Sequence, residues 1–267
     1  MLNIISALFN RPYKLFVGSF FILTILGFSS CKAQPFKSNL ELPLHYPKTD
    51  STAEIVEHIG YSLQYNEQHE QADWVAYVNT PIKINGIEKR KDAFKSDPLI
   101  ASGSAENSDY YKSGYDRGHL APAADMKWSK QAMKESFYLS NMSPQLPAFN
   151  RGIWKKLEEK VRAWSLESDS IYVITGPLLE DTLPSIGLNK VSIPNKYFKA
   201  LVRFERNELQ GIAFLLDNEG STKEVSSFLM TIDELEERIG IDLFYGLEKA
   251  TEQQFESSSC IPCWFKK

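Results

Sequence analysis

Asp116-Arg117-Gly118-His119 puts a guanidinium and an imidazole two residues apart, in the setting Gly-Tyr-Asp-Arg-Gly-His-Leu-Ala-Pro. A neutral imidazole near pH 7 suits the removal of a proton from water. A guanidinium offers a planar fork that holds a phosphate by two hydrogen bonds. If residues 116–119 are extended, Arg117 and His119 share one face and Asp116 points away, free to brace the loop. Gly118 lets the backbone turn sharply between them. Downstream, Asn150 and Glu158 carry oxygen ligands of the kind Mg²⁺ takes. Together these residues supply most of a metal-assisted hydrolysis of a phosphodiester.

Each residue also has a plainer reading. His119 as a buried core histidine is set aside because Arg117 lies beside it and the surrounding sequence is loop-like. Arg117 as a structural salt bridge to Asp116 stays open. For Asn150 and Glu158, spacing alone favours an N-cap and a surface charge. Eight residues on a helix rotate by roughly 80° and rise about 12 Å. The two share an ion only if Asn150 holds it directly at the helix start and Glu158 reaches it through water. Asn141 by itself reads as a turn residue. His45, His58 and His69 show no metal-ligand spacing, and no G-x-S-x-G, P-loop or dinucleotide glycine motif is present.

The elements that must position these residues follow from periodicity. Tyr61–Tyr65 and Trp74–Val78 alternate as strands, with a polar turn between. Residues 96–113 are a polar loop leading to His119. Ser129–Leu139 has helical spacing with Ser129 as N-cap, and Asn141–Gln145 breaks it. A second helix begins at or just before Asn150, with Ile153, Trp154, Leu157, Val161 and Trp164 on one apolar face. Ile171–Thr175, Lys199–Phe204 and Gly211–Leu216 read as strands. Thr231–Ile239 is a short helix with Thr231 and Glu234 as a capping box. Strands and helices mix without a βαβ period, which predicts an α+β fold on a mainly antiparallel sheet.

Tyr-Asp-Arg-Gly-His-Leu-Ala-Pro-Ala-Ala-Asp-Met from 115, Asn-Met-Ser-Pro-Gln from 141, Asn-Arg-Gly-Ile-Trp-Lys-Lys-Leu-Glu from 150 and Tyr-Val-Ile-Thr-Gly-Pro from 172 closely resemble the DNA/RNA non-specific endonuclease family (Serratia-type and endonuclease G-like nucleases). The likeness runs from about Trp74 to Phe244. It implies a ββα-metal (His-Me finger) fold, with a short hairpin carrying His119 crossed by the helix carrying Asn150. It implies His119 as general base and Asn150 as direct ligand of Mg²⁺, for which Mn²⁺ substitutes. Glu158 would reach the ion through water, Asn141 would assist beside the scissile phosphate, and Arg117 would contact phosphate. The family also uses an arginine ahead of an aromatic and Asp-Pro. Phe94 and Asp97-Pro98 match, but Asp92 stands where that arginine would be, and Arg90 is out of register as its replacement. The substrate implied is DNA and RNA, cut to 5′-phosphate and 3′-hydroxyl ends. Two alternatives stay open: a phosphodiesterase on small esters, and a catalytically idle nucleic-acid-binding domain of the same fold.

The whole chain bounds these readings loosely. At 267 residues, 43% hydrophobic and 24% charged, it has globular composition. Residues 1–33 read as a signal segment: Arg11 and Lys14 precede an uncharged apolar run to Phe28, then Ser29-Ser30-Cys31. Lipidation at Cys31 would attach the chain to a membrane as an outer-membrane or cell-surface lipoprotein. Ordinary cleavage and an uncleaved anchor are the alternatives, and all three export the folded part to the periplasm, cell surface or medium. Residues 34–56 are a linker, 57–250 the endonuclease-like domain and 251–267 a C-terminal tail. In that tail Cys260 and Cys263 are read as a local disulfide clip, since a zinc or redox site lacks its partners. The net charge of −4 disfavours general nucleic-acid affinity. Removing residues 1–30 takes away two cations and no acid. Lys83, Lys89, Arg90, Lys91 and Lys95 form either a local basic patch or a solvated turn.

Overall fold

The longest strands are apolar on both faces, so a sheet built from them must be covered on both sides. The computed structural model describes residues 46–48, 55–206 and 208–265, which lie within one compact unit. The expected signal segment, Cys31 and nearly all of the linker fall outside these residues.

Seven strands form one antiparallel sheet in the order β1 (Ile55–Glu57), β2 (Ser62–Asn66), β3 (Gln71–Asn79), β6 (Ser170–Pro177), β9 (Lys196–Glu205), β10 (Glu208–Asp217) and β11 (Leu229–Met230). Two two-stranded ribbons stand apart: β4 (Asp116–His119) with β5 (Met142–Gln145), and β7 (Ser185–Ile186) with β8 (Val191–Ser192). Short helices are α1 (Pro81–Ile84), α2 (Asn107–Tyr110) and α3 (Lys130–Glu135). The others are α4 (Lys155–Leu166), α5 (Ile232–Ile239), α6 (Lys249–Phe255) and α7 (Ile261–Trp264).

Because side chains alternate across a strand, the sheet divides its residues between two apolar layers. Val75, Tyr77, Val173, Tyr197 and Leu201 pack with Ile153, Trp154, Leu157, Val161 and Trp164 of the α4 segment. Trp74, Ile174, Phe198, Ala200 and Ala213 pack with Ile232, Leu235, Phe244 and Phe255 on the opposite face. Gly211 permits this second cover: a Cβ there would lie 2.2 Å from the Phe255 carbonyl oxygen.

The expected strands and the α+β fold are present; β3, β6, β9 and β10 extend a little beyond the apolar runs that announced them, and β2 is shifted by one residue. Ser129 caps α3 by accepting from the Ala132 amide, and Thr231 and Glu234 form the expected capping box. Asn141–Gln145, expected as a break, instead turns and then forms β5, fully buried. Its pairing is non-local, since the Tyr197 hydroxyl and Asn218 amide both donate to the Pro144 carbonyl. Cys260 and Cys263 form the expected disulfide. The expected tail packs inward: Phe255 and Trp264 are buried, and Trp264 contacts the Trp164 ring edge-on at 5.1 Å.

Candidate active site

Pairing of β4 with β5 places Gly118 opposite Ser143 and His119 opposite Met142. Gly118 is not a turn residue. It sits within the strand, where a Cβ would lie 2.2 Å from the side chain of Gln145. Glycine is required by close approach and not by a left-handed backbone.

His119 is half-buried between two phenylalanines. Its ring centroid lies 5.8 Å from Phe94 and 5.1 Å from Phe137, the latter edge-on. Each phenylalanine carries an arginine: the Arg117 guanidinium stands 4.2 Å from the Phe94 centroid and that of Arg90 5.2 Å from Phe137. The two aromatic segments are tied by hydrogen bonds between the backbones of Lys95 and of Phe137 and Leu139. The out-of-register Arg90 therefore reaches the site through the irregular chain ahead of Phe94. Burial, with the positive charge of Arg90 adding to it and Asp92 opposing, pushes the His119 imidazole down to about 3. The ring is held neutral, the proton-accepting form. Its Nε2 is enclosed without a hydrogen-bond partner.

Arg117 donates from Nη1 to Asn107 Oδ1 at 2.7 Å and does not pair with Asp116. Asp116 braces the next element, as strand alternation predicted. It accepts from Arg151 Nε and Nη2, one edge of the guanidinium, at 2.8 and 2.6 Å and from Asn150 Nδ2 at 2.9 Å. Burial alone would raise its pKa, but these donors hold it below the ordinary carboxyl value.

Asn150 is thus not an N-cap. It lies inside a π-helical turn, Phe149–Trp154, in which Gly152 leaves helical geometry, before α4 begins. The amide end of Asn150 is fixed on β4, so its carbonyl oxygen is oriented for another partner. The kink also removes the regular rotation assumed between Asn150 and Glu158.

Glu158 is not a surface charge. It is half-buried against Lys199, Asp125 and Arg162; burial raises its pKa and Lys199 pulls it back. Lys199 is fully buried on β9, its Nζ without a hydrogen bond and 4.7 Å from the Trp154 ring centroid. Asp125 accepts from Arg162 at 3.0 Å and from Asn79 at 2.9 Å. Sequence reasoning missed this buried network, although a lysine inside the run Tyr197-Phe198-Lys199-Ala200-Leu201-Val202 was a signal.

Asn141 does not face the site as expected. It is fully buried, and its Oδ1 accepts from the Ala121 amide at 2.8 Å. Its Nδ2 donates to the carbonyls of Ala121 and Ser136 at 3.0 and 2.9 Å. A carboxamide committed this way positions the chain leaving His119 and cannot touch a phosphate.

Of the five cations read as either a basic patch or a solvated turn, Arg90 is at the site and pairs with Asp92 at 2.6 Å. Lys95 lies over Tyr138, and Lys83 is held against Trp128. One cleft is lined in part by Arg117 and another by Arg90. The first, of about 360 Å³, is lined by Asn107, Tyr111, Lys112, Tyr115 and Arg117. The other, of about 530 Å³, is lined by Lys89, Arg90 and Lys127 among others.

A family model described as DNA/RNA non-specific endonuclease matches residues 43–250. Mitochondrial endonuclease G of Homo sapiens is 32% identical over 204 residues, covering 72% of this chain and 64% of that protein. Mitochondrial nuclease EXOG of Danio rerio is 31% identical over 217 residues, covering 75% and 63%. Nuclease C1 of Cunninghamella echinulata var. echinulata is 32% identical over 230 residues, covering 80% and 91%. The match spans just under two thirds of the length of these mitochondrial relatives. A crystal structure of an EndoG/EndoGI complex superposes with a TM-score of 0.71 at 29% identity, over 79% of this chain and 91% of that one.

Proposed function

The chain belongs to the DNA/RNA non-specific endonuclease family, and from that premise we propose that it hydrolyses internal phosphodiester bonds of DNA and RNA without regard to sequence. The observation that carries this reading is the aromatic bracket that fixes a neutral His119 between the arginines Arg117 and Arg90. Two cations flanking one base match the needs of a phosphodiester and an attacking water. Contacts of this kind address the backbone and carry no sequence information, so base-independent cutting follows. The two clefts, with Lys112 lining one and Lys89 and Lys127 the other, offer local positive charge in an acidic chain. Attraction of phosphate by exposed groups acts within about 10 Å at 0.1 M salt.

The donor types of Asn150 and Glu158 suit a hard divalent cation, Mg²⁺ or Mn²⁺. Asn150 presents a carbonyl oxygen whose orientation is fixed through Asp116, and Glu158 presents a carboxylate seated among Lys199 and Arg162. When bound, such an ion neutralises charge gathering on the phosphate and stabilises the departing 3′ oxygen. His119 takes the proton from water as the oxygen attacks phosphorus in line. Arg117 and Arg90 hold the phosphate oxygens, and Asn141 keeps the chain after His119 from moving. The departing 3′ oxygen takes a proton from solvent, so the products carry 5′-phosphate and 3′-hydroxyl ends. Digestion of plasmid, compared with hydrolysis of a small chromogenic diester, tests the reading; turnover of the small diester alone would replace it.

The pH profile supplies a second test. With its folded value depressed, His119 stays neutral far below pH 6.5. Acidification should therefore leave kcat/KM unchanged through pH 6.5 and reduce it only at lower pH. The same shift makes native stability fall as pH drops from 6.5 towards the folded value, because only the unfolded chain binds the proton there. At saturating metal, which keeps deprotonated the Glu158 carboxyl that burial raises to about 7, an acid limb centred at 6.5 or above would contradict the assignment.

Export through residues 1–33, with Cys31 lipidated, is the further part of the proposal and rests on the sequence of that segment. In a bacterial host, Cys31→Ser should abolish incorporation of labelled palmitate and move the chain from the membrane fraction to the soluble one. Unchanged partitioning would exclude the lipid anchor.

A further inference from the structure

Asp233 and Glu236 lie one turn apart on α5, and Glu256 caps the C-terminus of α6. One ligand oxygen from each lies within 4.8 Å of the others. Their backbones are joined as well, since the Asp233 amide donates to the Glu256 carbonyl at 3.3 Å. The group sits on the sheet face covered by Phe244 and Phe255, opposite the face that packs against the α4 segment. It belongs to neither the His119 bracket nor the Glu158 network.

Glu256 is 7% exposed, and its Oε1 is enclosed without a hydrogen-bond partner. Leaving a buried acceptor unsatisfied costs about 1–3 kcal/mol, more if charged. No Lys or Arg pairs with any of the three among the described residues; the charged groups acting on Glu256 are Glu236, Glu252, Asp233 and Asp242. Burial, reinforced by these carboxylates, pushes Glu256 up to about 8; burial also raises Glu236 to about 7, opposed by the Leu243 amide and helped by Asp242, Asp233 and Glu252. Such an arrangement is stable only with a positive partner or with protons in its place.

We propose that Asp233, Glu236 and Glu256 form a second divalent-cation site, specific for Ca²⁺, that staples α5 to the C-terminal segment. Oxygens within 4.8 Å of one another are close enough to share one ion at the about 2.4 Å of a Ca²⁺–oxygen bond. Ca²⁺ accepts several carboxylates in irregular geometry, whereas Mg²⁺ demands a near-ideal octahedron and keeps its waters. Glu236 is already oriented, one oxygen accepting from the Leu243 amide at 2.7 Å.

The test uses the full chain carrying Asn150→Ala, so that the candidate catalytic site does not obscure the result. Calorimetric titration should register one Ca²⁺ per chain. Ca²⁺ at 100 times its Kd should raise Tm by about 5–10 °C. Adding Glu256→Gln should abolish both effects. Should that variant fail to fold, exposed Asp233→Asn should weaken Ca²⁺ binding at least about 10-fold while folding normally. Nuclease activity at saturating Mg²⁺ should be unchanged by Asp233→Asn in the otherwise wild-type chain. Absence of any Ca²⁺-dependent shift at pH 8, or a shift untouched by Asp233→Asn, overturns the site in favour of carboxyls held by protons. A response to Mg²⁺ equal to that with Ca²⁺ overturns the choice of ion.

Discussion

His119→Ala lowers kcat for plasmid cleavage by about 10²- to 10⁴-fold, the range expected for loss of a positioned general base, while KM changes little. The split follows from the bracket. Removing the imidazole leaves Phe94, Phe137 and their stacked arginines in place, so phosphate contacts persist and proton removal does not. The fold should survive, because His119 is half-buried in a short ribbon anchored through Pro144 to Tyr197 and Asn218. Circular dichroism and thermal unfolding check this alongside the kinetics. A kcat within threefold of wild type, in a folded variant, would remove His119 from the role.

Chelation has the other large effect. Excess EDTA should stop cleavage, and Mg²⁺ or Mn²⁺ should restore it. Asn150→Ala should raise the metal concentration for half-maximal rate by more than the roughly 10- to 100-fold typical of losing an outer partner of a metal ligand. Asp116→Asn should fall within that range, since it loosens the Asn150 amide without removing its carbonyl. Cutting that persists in EDTA would exclude a metal. Equal responses in the two variants would reassign Asn150 to a purely structural role.

The long strands were legible because their apolar runs are local and their pairing only confirms them. β5 was not: Met142-Ser143-Pro144-Gln145 resembles a break, and distant groups on β9 and after β10 hold it extended. The side of β4 that Asp116 occupies was legible from strand alternation alone. The relation between Asn150 and Glu158 was not, because the eight-residue argument assumed an α-helix where Gly152 introduces a kink. Asn141 shows the opposite limit. Its place in the motif was visible, but a carboxamide that faces a ligand and one that clamps backbone look alike in sequence. Arg90 was found only as a near miss, since irregular chain has no register from which to count.

The residues beyond 250 alter what counts as the unit of this protein. Trp164 donates through Nε1 to the Trp264 carbonyl at 2.7 Å, and the Arg203 guanidinium lies 4.4 Å from the Trp264 ring. The family match ends at residue 250, yet a fragment cut there would uncover Trp164, Arg203 and the face of β10 under Phe255. The end of the family match therefore does not coincide with the end of the packed core. Transplanting the matched span alone would carry over all the residues proposed for catalysis without the segment that keeps their scaffold closed.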